Sequence, residues 1–266
     1  MIKLGAKPTA PEVLSRQKIS DALAFLESQL NEKGSLSSKD FKGRNYWGEV
    51  KKDLWEYQDR KCCFCERQRD PNRESDVDHY RPKLAQNNEP ATGHDGYWWL
   101  AYTWENLFFV CSKCNSAYKK NSFPLINKTA RAFNKDDDLL QERPYLLDPE
   151  KDDPEQFIIY DYTSLKVPVP VSGANDYEGR GRKTIEVLGL NKRTELITGR
   201  AEKLINMQLC ARAIIRMVES DKNFGDQLDK NIERLKSHIN SKSQFAGFSR
   251  FYYKNQAGLD KYVSCG

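Results

Sequence analysis

The chain has 266 residues, of which 38% are hydrophobic and 30% are charged, and this suits one compact protein with one or two lobes. No stretch is long and apolar enough to cross a membrane, and the polar, proline-containing N-terminus does not resemble a signal peptide. We therefore expect a cytoplasmic protein without a membrane partner. The net charge is only +5, but basic residues exceed acidic ones between positions 180 and 250.

The N-terminal segment, residues 1–60, is predicted to be helical. Apolar residues recur at helical spacing from Leu14 to Leu30, and Gly34 with the serines after it ends the run. A second helix is predicted over about 45–60, ending just before the first pair of cysteines.

Two C-x-x-C pairs, Cys62 with Cys65 and Cys111 with Cys114, are the strongest metal-binding signal of the chain. Four thiolates at this spacing are what a tetrahedral zinc ion needs, so we predict a structural zinc site. Seven cysteines are an odd number, and a reducing compartment disfavours disulfides. The remaining three are interpreted as bystanders: Cys63, Cys210 and Cys265.

Between the pairs, residues 74–81 alternate as a short strand that Pro82 ends. His79 follows Asp78 directly and is the only one of three histidines with such a setting, which favours a catalytic role. Arg81 and Lys83 are candidate phosphate contacts, with a solvated charged rim as the alternative.

Aromatic residues precede the second pair, and a helix is predicted after it. Tyr97, Trp98, Trp99 and Trp104 are expected to support a small core rather than to stack on bases. The predicted helix begins near Ser112 and ends at Pro124. Asn115 and Lys119 share one face of it, and Lys119 is a third candidate phosphate contact.

The C-terminal region is predicted to be mainly helical. A possible hairpin is predicted from strands at 157–160 and 165–171, with prolines 168 and 170 placing the second at an edge. Helices are predicted from residue 182, with a new cap at Asn191, then over 194–220 and 226–239. The basic helices after 180 are either a surface for a polyanion, a partner-docking surface or a solvated exterior.

Several matched elements in order resemble an HNH nuclease with a ββα-metal core: C-x-x-C, Asp-His-x-x-Pro, W-x-N, C-x-x-C-N-x-x-x-K and Phe-Pro, over about 61–125. The resemblance implies an α+β fold, with a small zinc-stapled ββα-metal core between helical segments. We divide the chain into 1–60, a core at 61–130, and a C-terminal region at 131–266.

The resemblance also implies roles for individual residues. His79 would be the general base that activates water, and Asp78 a ligand of the catalytic divalent metal. Asn106 would hold the geometry behind His79, and Asn115 would be the second metal ligand, where many members carry histidine. An oxygen ligand there suits Mg²⁺ or Mn²⁺.

The first segment and the flanking motifs at 146–149 and 185–191, the latter followed by Arg200, resemble the HNH component of the Septu anti-phage system and its retron-associated relatives. This resemblance implies nucleic acid as substrate, DNA more than RNA, and an ABC/SMC-like ATPase as partner. The chain itself shows no phosphate-binding loop motif. The alternatives are a stand-alone restriction-type HNH nuclease, a non-catalytic zinc-stapled nucleic-acid-binding subunit, and a protein-interaction subunit.

Overall fold

Helices surround two small antiparallel sheets in the computed structural model, which describes residues 1–85, 94–163, 167–220, 224–256 and 259. Each sheet in this described part has two strands. The expected α+β class is confirmed at this level. None of the helices formed by these residues is long and apolar enough to cross a bilayer.

The N-terminal segment forms two helices, as predicted. Helix α1 (Gln17–Lys33) ends where Gly34 takes a left-handed backbone, with φ of 72°, and donates its N–H to Leu30 O at 2.8 Å. A short 3-10 turn then leads into α2 (Lys51–Tyr57), which is shorter than the predicted second helix.

The central sheet pairs β1 (Ser75–His79) with β2 (Leu107–Cys111) in antiparallel register, with Val77 opposite Phe109. Both Val77 and Phe109 face α2 and belong to one apolar cluster with Leu54. The opposite face carries Phe108, which belongs to the main core. This sheet is therefore covered on both sides.

A short helix with wide, π-type turns (Lys113–Lys119) follows β2 directly. This helix ends at Lys120, whose left-handed backbone, with φ of 51°, turns the chain away. The Lys120 N–H donates to Asn115 O at 2.7 Å. The prediction that Pro124 terminates this helix was wrong, because the turn at Lys120 ends it earlier.

The connection between β1 and β2 is closed at its base. The N–H of Tyr97 donates to the carbonyl oxygen of Pro82 at 2.8 Å, so the two ends of the intervening segment meet beside the sheet.

The C-terminal region begins with α3 (Pro154–Phe157) and the second sheet, in which β3 (Ile158–Asp161) pairs with β4 (Val169–Ser172). The predicted hairpin is confirmed, although positions 165 and 166 of its second strand lie outside the described residues. The prolines predicted that the second strand lies at an edge of the sheet. This is confirmed, because both strands of a two-stranded sheet are edge strands.

Four further helices follow: α4 (Arg180–Val187), α5 (Thr194–Val218), α6 (Gly225–Ile239) and α7 (Ala246–Lys254). The predicted cap at Asn191 was wrong, because α5 begins only after Arg193, which is its N-cap residue. The main core joins residues from the central and C-terminal parts, for example Phe64, Met207 and Phe248. The division into 1–60, 61–130 and 131–266 stays a prediction.

Candidate metal centre and active site

Four buried cysteines converge at one end of the central sheet. Cys62 and Cys65 lie in a tight turn, Cys111 ends β2, and Cys114 lies at the start of the helix that follows. Their four sulfur atoms all lie within 4.8 Å of one another. A tetrahedron with Zn–S bonds of about 2.3 Å separates its sulfur atoms by about 3.8 Å. The distance between Cys65 Sγ and Cys111 Sγ is 3.8 Å, so this set could hold a zinc ion.

The other cysteines are outside this cluster. Cys63 and Cys210 are buried as free thiols and do not belong to the four-sulfur group. Cys265 lies outside the described residues. The four-cysteine site therefore uses the residues that the two C-x-x-C pairs predicted.

An arginine that the sequence analysis missed contacts the cluster. Arg193 is 3% exposed; its Nη1 donates to Cys114 Sγ at 3.1 Å, and its Nη2 lies 3.8 Å from Cys111 Sγ. Its Nε donates to Glu195 Oε1 at 3.1 Å. No motif marks Arg193 in the sequence, where it is one of several basic residues near a helix start.

Asp78 forms a buried ion pair with Lys119. Lys119 Nζ lies 3.0 Å from Asp78 Oδ2 and donates to Asp78 Oδ1 at 3.2 Å and to His79 O at 2.7 Å. Burial raises the pKa of Asp78, and the Lys119 ammonium opposes that rise. Lys119 is fully buried and engaged with Asp78 in this conformation, and phosphate binding by Lys119 stays a prediction.

Asn115 contacts Asp76, whereas Asp78, the other expected ligand of the same divalent metal, pairs with Lys119. Its Nδ2 donates to Asp76 Oδ2 at 3.3 Å. Asp76 and Asp78 project from the same face of β1, because they are two residues apart. Asn115 and Lys119 therefore face β1 from one side of their helix, as predicted, and each reaches its own carboxylate.

The imidazole of His79 is buried and held by one backbone carbonyl. Its Nε2 lies 2.9 Å from Ala101 O, and since a carbonyl oxygen only accepts, Nε2 carries the proton and Nδ1 the lone pair. The Trp47 ring packs edge-on at a centroid distance of 5.0 Å. Burial lowers the pKa of His79, and the positive charges of Lys83 and Lys119 lower it further.

Asn106 ties together the two ends of the connection behind His79. Its Oδ1 accepts from Arg81 N–H at 2.8 Å, and its Nδ2 donates to Arg81 O at 3.0 Å and to Leu100 O at 3.2 Å. Asn106 thus fixes the backbone that follows His79, and its effect on catalysis stays a prediction.

The two remaining basic candidates are engaged within the protein. Arg81 Nε donates to Glu142 Oε2 at 2.7 Å, and Lys83 Nζ lies 4.6 Å from the centre of the Trp47 ring. Burial lowers the pKa of Lys83 to about 8, while the charge of Asp78 opposes the shift. In this conformation Arg81 and Lys83 stabilise the site; phosphate binding by them stays a prediction.

The aromatic residues support the core, as predicted. Tyr97, Trp98 and Trp104 are buried, and Trp99 is partly buried against the same clusters. None of these four is an exposed stacking surface.

The fold and the sulfur cluster define a mixed helix-and-sheet protein that can carry a structural zinc ion between two C-x-x-C loops. The chain belongs to the family of the Septu protein PtuB. It is 30% identical to that protein of Bacillus mycoides (strain KBAB4) over 264 residues, covering 96% of this chain and 85% of the relative. The predicted link to Septu is thereby confirmed.

A second Septu protein matches part of the chain. The Septu protein PtuA of the same strain is 31% identical over 146 residues, which is 54% of this chain and 19% of that relative. No protein-family model matches the chain. No solved structure matches it either.

Proposed function

We propose that this protein is a metal-dependent HNH-type endonuclease of a bacterial anti-phage defence system. Membership of the Septu family supports the defence role. The order of the motif elements supports the nuclease assignment, together with the succession of β1, β2 and the short helix 113–119, which corresponds to a ββα arrangement. The observation that carries the proposal is His79 at the end of β1, with its Nε2 bonded to Ala101 O, directly after the buried Asp78 in the sequence.

His79 acts as the general base in this proposal. With Nε2–H donated to Ala101 O, the lone pair on Nδ1 takes a proton from water as the water oxygen attacks phosphorus. The P–O bond to the leaving oxygen then breaks, and that oxygen is protonated from solvent. Asn106 keeps the backbone on either side of His79 fixed through its bonds to Arg81 and Leu100.

Asp78 and Asn115 fit a hard divalent cation such as Mg²⁺ or Mn²⁺. Asp78 Oδ2 is buried and has no hydrogen bond of normal geometry among the described residues, although Lys119 Nζ lies 3.0 Å away. Asn115 donates its Nδ2 to Asp76 and keeps Oδ1 as an oxygen ligand. A cation bound there would stabilise the charge that develops on the phosphate and on the leaving oxygen.

The proposed setting is a cytoplasmic complex with a partner protein. The family link favours a second Septu component, and the sequence resemblance specifies an ABC/SMC-like ATPase. The proposed substrate is DNA rather than RNA. The basic C-terminal helices would serve either the partner or the nucleic acid.

The test is cleavage of plasmid DNA and of bulk RNA in Mg²⁺ or Mn²⁺ by wild type, His79→Ala and His94→Ala. His94 is a matched control, since it is also buried and bonds a backbone carbonyl, Ala132 O at 2.8 Å. We expect wild type and His94→Ala to cleave DNA and His79→Ala to be inactive at equal thermal stability.

Each reaction is repeated with the cognate Septu partner and ATP. Activity only with the partner supports the complex, whereas full activity alone supports a stand-alone nuclease. A folded, zinc-loaded wild type that binds DNA but cleaves nothing under either condition contradicts the enzyme assignment and favours a binding subunit.

A further inference from the structure

We infer that Arg193, assisted by Arg200, is the electrostatic counterpart of the zinc-bound sulfur cluster and attaches helix α5 to the metal centre. The inference depends on the zinc site and is independent of nuclease activity. It assigns roles to two buried arginines, of which Arg193 is marked by no sequence motif.

The charge of the cluster calls for a buried cation. Four thiolates around one Zn²⁺ leave a net charge of −2, and all four sulfur-bearing residues are at most 3% exposed. A buried charge is stable only when it is paired and hydrogen-bonded. Water cannot supply that compensation at a site this deeply buried.

Arg193 meets this need geometrically. The planar guanidinium directs its two terminal nitrogens towards Cys114 and Cys111, at 3.1 and 3.8 Å. Its Nε donates to Glu195 Oε1, which also forms an ion pair with Lys113 Nζ at 3.1 Å. The guanidinium is thereby fixed in the orientation that reaches both sulfurs of the second C-x-x-C pair.

Arg200 of helix α5 holds the segment of chain that leads into Arg193. It is 3% exposed, and both of its terminal nitrogens donate to Leu190 O at 3.0 Å. Arg200 thereby helps to position the segment from which Arg193 reaches the sulfurs, and Arg193 is the cation that contacts the cluster.

The contact has a structural consequence beyond charge. Helix α5 packs against both α6 and α7, so its attachment to the cluster links the C-terminal helices to the zinc centre. Arg193 also lies over the ring of Tyr118, at 5.3 Å from its centre, on the helix that carries Cys114. Zinc affinity should therefore depend on a residue far from the four ligands in sequence.

The test measures zinc affinity by competition with a chromogenic chelator, for wild type, R193Q, R193K and R180Q. R180Q is the control, because Arg180 is also a partly buried arginine but bonds Asp152 and Pro144 O. Removing a group that orients metal ligands typically weakens metal binding about 10- to 100-fold, which we expect for R193Q. R193K keeps the positive charge but not the two terminal nitrogens of the planar guanidinium, so we expect a smaller loss of zinc affinity. We expect no loss of zinc affinity for R180Q.

Cobalt substitution provides a readout that a general loss of stability would not produce. Removing the N–H donors changes the electron density at sulfur, so the sulfur-to-cobalt charge-transfer band of R193Q should shift, whereas that of R180Q should not. Wild-type zinc affinity and an unshifted band in R193Q would overturn the inference, as would equal zinc loss in R180Q. If R193Q is insoluble, R193K decides: weaker zinc binding supports the inference, and wild-type binding refutes it.

Discussion

Replacing Asn106 should cost far more stability than its small side chain suggests. The residue is 5% exposed, and its amide makes three hydrogen bonds to the backbone of Arg81 and Leu100. At a net value of about 1 kcal/mol for each bond, Asn106→Ala should lower the free energy of unfolding by about 3 kcal/mol. Three backbone groups would be left without the partner that the wild type provides.

Asn106→Asp separates hydrogen bonding from volume. The aspartate has nearly the same shape and can still accept from the Arg81 N–H. Its second oxygen, however, would face the carbonyl oxygens of Arg81 and Leu100, which accept N–H bonds from Asn106 in the wild type. Two bonds become repulsive contacts, so a loss of about 2 kcal/mol or more is expected. A purely steric role would leave this variant close to wild type.

The measurement is urea unfolding followed by far-UV circular dichroism, with zinc in excess for every variant. Asn121→Ala is the control, because its Nδ2 bonds Ala85 O at 3.1 Å at an exposed position, and its effect should stay within about 0.5 kcal/mol. Equal stabilities of Asn106→Ala and Asn121→Ala, or a wild-type midpoint for Asn106→Asp, would refute the bridging role.

Three other predictions concern the metal site, the buried pair and acid stability. Cys114→Ser should give insoluble or unfolded protein, because structural zinc binding is coupled to folding; a soluble, zinc-free variant with the wild-type melting temperature would contradict this. Lys119→Met should cost about 3–5 kcal/mol in chemical unfolding by leaving the Asp78 carboxylate buried without its partner, and adding Asp78→Asn should restore much of the loss. No recovery in the double variant would argue against charge as the cause. Burial, with the charges of Lys203 and Arg234, lowers the pKa of His238 from 6.5 to about 4. Between pH 6.5 and about 4 the unfolded chain therefore binds a proton on His238 that the folded chain does not, so the free energy of unfolding falls as the pH falls through this range. His238→Gln should remove on the order of 1 kcal/mol of that decline, after allowing for the partial exposure of the ring, and identical pH profiles of unfolding would disprove it.

Short-range patterns predicted the parts of the protein that local chemistry determines. The two C-x-x-C pairs identified the sulfur cluster, because each tight turn brings two sulfurs together whatever the rest of the chain does. Gly34 ended α1 because its backbone adopts the left-handed conformation without steric cost. The two short strand-like segments at 157–160 and 165–171 predicted the β3–β4 hairpin.

The burial of Lys119 could not be read from the sequence. Lysine is almost never fully buried unless it is paired, and its partner Asp78 lies on a strand separated from it by the whole β1–β2 connection. Four-residue spacing from Asn115 gave the correct helix face. Only the packing of that face against β1 determines that the side chain points inwards.

Helix α7 shows how tertiary packing overrides local preference. It contains Gly247 and several aromatic residues, which are weak helix formers, and no helix was predicted there. Its buried residues include Phe248, whose ring packs edge-on against Tyr160 of β3 at a centroid distance of 5.3 Å. The burial of these rings stabilises a helix that its sequence alone would not support.

The hydrogen bond between Tyr97 N–H and Pro82 O has a consequence for engineering the protein. That bond and the bonds of Asn106 hold the residues on both sides of the connection in place, so the β1–β2 register depends on contacts at Arg81, Pro82, Tyr97 and Leu100. Doubling the length of a flexible loop costs only about 0.6 kcal/mol. A peptide tag or a fluorescent reporter inserted within that span should leave the β1–β2 register intact, whereas the same insertion between Arg81 and β1 would separate the ends that the bond holds together.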